Sequence, residues 1–99
     1  MHTRDPDYAR VIDISRMVDE LLKAWRREEQ RLLERWHRAV AEFHEAHHAL
    51  AGFEPSLEPE PVMEALMLRA GAATAELNAV RSEVNRIRSE LASGKRQRD

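Results

Sequence analysis

Side chains capable of chemistry concentrate in HRAVAEFHEAHH, residues 37–48. His37, His44 and His48 are separated by seven and four residues, so a helix would place them on one flank. The i, i+4 spacing of His44 and His48 lets two imidazoles meet one metal ion. Glu34 and Glu45 each stand three residues before a histidine, His37 and His48. Against the metal reading stands the ordinary one, solvated or interface histidines. A second candidate is Glu29, a carboxylate inside an otherwise apolar stripe between Trp25 and Leu33. A dry carboxylate is costly unless paired. Glu29 is therefore expected as a buried polar contact that fixes register, with Arg86 or Arg81 as partner. A third is the row Arg27, Arg31, Arg35 and Arg38. Such a row can read phosphates, but Glu28, Glu34, Glu42 and Glu45 interleave it, as on a solvated, salt-bridged helix face.

The two Glu-x-x-His units resemble those of ferritin-like di-iron bundles. That resemblance implies inward-facing glutamates on the partner helix as well. Here Glu64, Glu76, Glu83 and Glu90 fall on flanks, and the second half of the chain has no histidine. The string His48-Ala49-Leu50-Ala51-Gly52 resembles the His-x-Leu-Lys-Gly pattern of phosphotransfer bundles. Ala51 replaces the lysine, and Gly52 stops the helix where that family's helix continues. There is no phosphate-cradling glycine loop, and the serines have no His/Asp constellation. No cofactor and no enzymatic activity are expected.

The elements that would carry these residues are helices. The charged fraction is 34%, and there are only three glycines and four prolines. This is the diet of long helices and coiled coils. From Tyr8 to Ala51 there is neither proline nor glycine. Apolar residues recur at helical spacing through Val11, Ile14, Val18, Leu21, Trp25, Leu32, Trp36, Ala39, Phe43 and Leu50. GFEPSLEPEP then breaks the chain. Gly52 is a natural stop, and Pro55, Pro59 and Pro61 forbid continuation. The expected organisation is a disordered arm over 1–7, a helix over 8–51, a turn over 52–60, a helix over 61–93 and a flexible basic tail over 94–99. Asp5 or Asp7 could cap the first helix.

In the second helix, Leu66, Ala70, Ala73, Leu77, Val80, Val84, Ile87 and Leu91 alternate steps of four and three, a heptad seam. The fold class is all-α: a long antiparallel, coiled-coil-like hairpin folded near residue 56. A hairpin so thin buries little surface, so pairing into a four-helix bundle is expected, as a homodimer or tetramer.

MEALMLRAGAATAEL, residues 63–77, has almost no polar side. Trp36 is expected opposite Ala72–Glu76, with the small residues making room for its indole. Met63, Met67, Leu68, Gly71 and Ala75 are expected to face away from the seam and to carry self- or partner contact, together with Trp25 and Trp36. Methionine-rich surfaces suit adaptable binding. The expected function is a non-enzymatic, chaperone-like adaptor in the cytoplasm that binds a protein partner. With a formal net charge of −2, nucleic acid is not an expected partner. No apolar run approaches membrane-spanning length. YARVIDISRMVDELL and ELNAVRSEVNRIRSEL have a texture similar to that of flagellar export chaperones. The overall length is similar to that of secreted Trp-x-Gly hairpins, although the turn here reads Ala51-Gly52-Phe53. Both resemblances imply a helical hairpin that serves a secretion or export system.

Overall fold

The structure, a computed structural model, describes the backbone of residues 6–98 and the side chains of residues 13–98. It is a hairpin of two helices, α1 (Pro6–Ala51) and α2 (Glu60–Ala92), with no strand among the described residues. Most of the expected arm, and Asp5 and the Asp7 side chain with it, lie outside the described residues; α1 already includes Pro6.

The turn is built from backbone and proline. The Gly52 N–H donates to the His48 carbonyl at 3.0 Å, and the Phe53 N–H donates to the Leu50 carbonyl at 3.2 Å. Gly52 ends α1 without a left-handed turn; the glycine with positive φ is Gly94, at +80°. Pro59 caps α2 in an extended conformation with no side-chain hydrogen bond. Pro61 lies in the first turn, where a missing N–H costs nothing.

The expected seam is the one formed. Ala70, Ala73, Val80 and Ile87 of α2 are buried, facing Ala39 and Ala46 of α1. Ala46, Ala70 and Ala73 form a compact cluster on which Leu50 packs. Alanine at these positions lets the backbones approach closely. Gly71, Ala72 and Ala75 are exposed, and a Cβ built on Gly71 would meet nothing within 4 Å. They therefore make no room for an indole. Trp36 instead lines a groove with Val84 and Ile87, because helical side chains lean toward the N-terminus and carry its ring back by about a turn. Met63 is also corrected. It is half-buried, since it precedes Ala70 by seven residues and so falls on the seam line.

Ion pairs set the register by joining Arg35 to Glu76 and Glu42 to Arg69. These place the fold point near residue 56, as expected. They also put the end of α2 beside about residue 20 of α1. The first 15 or so helical residues of α1 therefore overhang, by about 22 Å at 1.5 Å per residue. The molecule measures 90 × 25 × 17 Å with a radius of gyration of 23.5 Å. A compact chain of this length would have about 13 Å.

The basic tail, expected to be flexible, folds back at Gly94. The Arg96 N–H donates to the Glu90 carbonyl at 3.1 Å. The Arg96 side chain is buried, with 2% of its surface exposed.

Candidate functional site

The hairpin has two long edges of opposite character. Each edge follows from positions seven residues apart on either helix, which flank the seam of an antiparallel pair.

On the first edge stand Glu28, Arg35 and Glu42 of α1 and Arg69, Glu76, Glu83 and Glu90 of α2. It is zipped by charge. Arg35 pairs with Glu76. Arg69 Nε donates to Glu42 Oε1 at 2.7 Å, and its Nη2 lies 3.6 Å from Glu45. The register then puts Glu28 opposite Glu83, two like charges. Arg86 resolves this by bridging Glu28 at 2.7 Å, Glu83 at 2.9 Å and Glu90 at 2.7 Å. Arg96 adds a second cation, 2.9 Å from Glu28 and 3.0 Å from Glu90. The Arg86 hydrogen bond holds the Glu28 carboxyl below its ordinary value, with Arg96 contributing and burial opposing. Glu90 is lowered chiefly by Arg96, Glu76 by Arg35 and Glu42 by Arg69.

The second edge carries Arg26, Leu33, Val40 and His47 of α1 and Met67, Thr74, Arg81 and Arg88 of α2. The contact that closes it is between His47 and Thr74. The Thr74 hydroxyl donates to the Ala70 carbonyl at 2.9 Å. Its single proton is thereby used, so the Nε2–H of His47 donates to Thr74 Oγ1 at 3.1 Å. Below this point the edge opens into a groove of about 570 Å³ that includes Leu32, Leu33, Trp36 and Val84, with Arg81, Arg88 and Arg98 beside them. A second hollow of about 360 Å³ continues it past Leu22 and Arg26. Glu29, Leu33 and Arg98 belong to both. No ion pair engages Arg81 or Arg88 among the described residues.

Glu29 is partly buried, as expected, but its partner is neither Arg86 nor Arg81. Arg98 of the tail donates to it at 3.1 Å and 3.2 Å. Arg86 is drawn to the other edge by Glu28, Glu83 and Glu90. Trp25 and Trp36 are half-buried. Trp25 faces the Arg96 guanidinium at 5.6 Å, and Trp36 faces the groove. Met67 and Leu68 are exposed, 56% and 75%. With Gly71 and Ala75 they lie off the seam, as expected.

His37, His44 and His48 are exposed on the outer side of α1. No three His, Asp or Glu side chains among the described residues converge where a metal ion could be held. The physical reason is placement, because these histidines are exposed on the outer side of α1, whereas Glu76, Glu83 and Glu90 of α2 lie along the zipped edge. The histidine that bridges the helices is His47, which also packs on Phe43 with ring centroids 4.3 Å apart. No helix among the described residues is long and apolar enough to cross a membrane.

Sequence alone did not bring Leu33, Arg81, Arg88 and Arg98 together around one groove; Arg81 was expected only as a partner of Glu29. Leu33 follows Leu22 by eleven residues, and Arg88 follows Arg81 by seven. Both spacings were available as signals once the seam was drawn. Arg96 carries no such signal, because its position depends on the turn at Gly94.

Comparison of the chain with known protein families, with curated proteins and with solved structures returned no match.

Proposed function

We propose that this chain is a non-enzymatic interaction module. It would self-associate and hold a protein partner through apolar faces that the hairpin leaves outside, as a cytoplasmic adaptor or a small chaperone-like protein. One observation carries the reading: alanines make up most of the buried core while several large hydrophobic side chains stand outside. The buried set is Ala39, Ala46, Ala70, Ala73, Val80 and Ile87, whereas Ile14, Met17, Leu33, Met67 and Leu68 are exposed. Contiguous exposed apolar surface on a soluble chain marks interaction sites, and adaptable methionines favour protein clients. Met67, Leu68, Gly71 and Ala75 form the partner face in this reading.

The test is absolute mass by light scattering over a wide concentration range, with partner binding measured alongside. A defined oligomer is expected. Met67→Glu is expected to alter assembly or partner binding while helix content by circular dichroism stays unchanged. A monomer at every concentration would remove self-association. Unchanged mass together with unchanged partner binding in Met67→Glu would remove this face.

A further inference from the structure

The open edge combines an apolar floor with positive charge that nothing in the chain compensates. Leu32, Leu33, Trp36 and Val84 line its groove, and Arg81 and Arg88 stand beside them on α2. Both arginines are exposed. Their guanidinium groups have no ion pair and no hydrogen bond among the described residues. The zipped edge behaves differently. There Arg35, Arg69 and Arg86 each meet a carboxylate of the opposite helix. On the open edge the carboxylate that lines the groove, Glu29, is taken by Arg98 at 3.1 Å.

We propose that the open-edge groove docks an acidic amphipathic helix of a partner protein. This rests on the adaptor reading above and gives its partner a chemical class, at a surface other than the Met67 face. The shape of the groove selects a helix. It runs between α1 and α2, and with its continuation past Leu22 it follows α1 as far as Trp36, about 21 Å or two heptads. An incoming helix lays apolar residues on such a floor. The charge selects an acidic one. Arg81 and Arg88 are seven residues apart, about 10 Å along one flank of α2. Carboxylates seven residues apart on the incoming helix have the same spacing, and charges at such flanking positions set partner choice between helices. A basic helix would meet like charge, and so would the same groove of a second copy, with Arg81 and Arg88 facing their own copies. A phosphate backbone would satisfy the arginines but leave the apolar floor uncovered.

The test uses the full chain and two labelled synthetic peptides of about three heptads, with leucine at a and d. One carries glutamate at e and g, the other lysine. Fluorescence anisotropy should show the glutamate peptide binding about tenfold or more tightly than the lysine peptide, and added salt should weaken it. In Arg81→Glu/Arg88→Glu the order of the two peptides should reverse with helix content retained, since neither guanidinium holds a partner within the chain. Leu33→Asn should weaken the glutamate peptide as well, because Leu33 is 49% exposed in the groove. Equal binding of both peptides, or a preference that survives the charge reversal, would overturn the proposal. Absence of binding would overturn it too, while the adaptor reading falls only if Met67→Glu also leaves mass and partner binding unchanged. A fall in the scattering mass of the chain alone on Arg81→Glu/Arg88→Glu would give the groove to a second copy. A generic DNA duplex that binds more tightly than the glutamate peptide would give the arginines to phosphates. Either result overturns the acidic helix as occupant.

Discussion

The Arg96 guanidinium lies 5.6 Å from the centre of the Trp25 ring, and its Nη2 lies 2.9 Å from Glu28. A residue three from the end of the chain is thereby clamped to the middle of α1. The turn at Gly94 makes this possible, since its φ of +80° suits a residue without a side chain. A buried guanidinium is costly alone. Here two carboxylates and an aromatic face offset part of the cost, while Nη1 is buried with no hydrogen-bond partner among the described residues.

Arg96→Ala should therefore destabilise the hairpin by about 2 kcal/mol, between a desolvated cation–π contact and a broken buried ion pair. Urea unfolding followed by circular dichroism measures it. Truncation after Gly94 should cost at least as much. A truncated chain as stable as the full one would show that the tail anchors nothing.

Stability should fall on acidification. Glu28, Glu42, Glu76 and Glu90 are all held below the ordinary carboxylate value of 4.5. The unfolded chain then takes up protons before the folded one as pH drops. The stabilisation is complete above the unfolded value and is lost as pH falls through the lowered folded values. Thermal melts at pH 7 and at about pH 3 should show a lower midpoint in acid. A flat profile would deny these pairs a role.

Among the surface arginines, Arg86→Ala should lower the melting temperature more than Arg69→Ala. Loss of Arg86 leaves Glu28, Glu83 and Glu90 close together, with Arg96 still paired to Glu28 and Glu90. Loss of Arg69 leaves only Glu42 and Glu45. Equal effects would mean that the three-carboxylate node is no more than a set of exposed pairs.

Gly71→Ala should stabilise the isolated hairpin by about 1 kcal/mol, because an interior helical glycine is replaced by the best helix former. The added methyl meets no atom within 4 Å. If assembly weakens instead, Gly71 lies under a second chain, and light scattering would register the loss.

Zinc at stoichiometric concentration should leave the melting temperature unchanged. His44 and His48 offer two imidazoles, but no third donor converges with them among the described residues. A tight, stoichiometric heat in calorimetry, lost in His48→Ala, would reinstate the histidines as ligands.

Local rules made the helices legible in the sequence. The run without glycine or proline, the proline-rich break and the heptad seam of Leu66 to Leu91 act over a few residues, and they determined two helices, the fold point and the buried face of α2. The outward placement of Met67 and Leu68 followed from the same periodicity. Pairings between distant residues were decided only when the chain folded. The choice of Arg86 between Glu28 and Glu29 depends on which edge of the seam each helix presents. That is set by the relative rotation of α1 and α2, which neither helix specifies alone. The Arg96 anchor required the Gly94 turn to bring the tail against Trp25. The contrast between a zipped edge and an open one likewise arose from the register that brings Arg35 to Glu76 and gives Arg81 and Arg88 no ion pair among the described residues. Helices are encoded residue by residue, whereas an edge exists only where two helices meet.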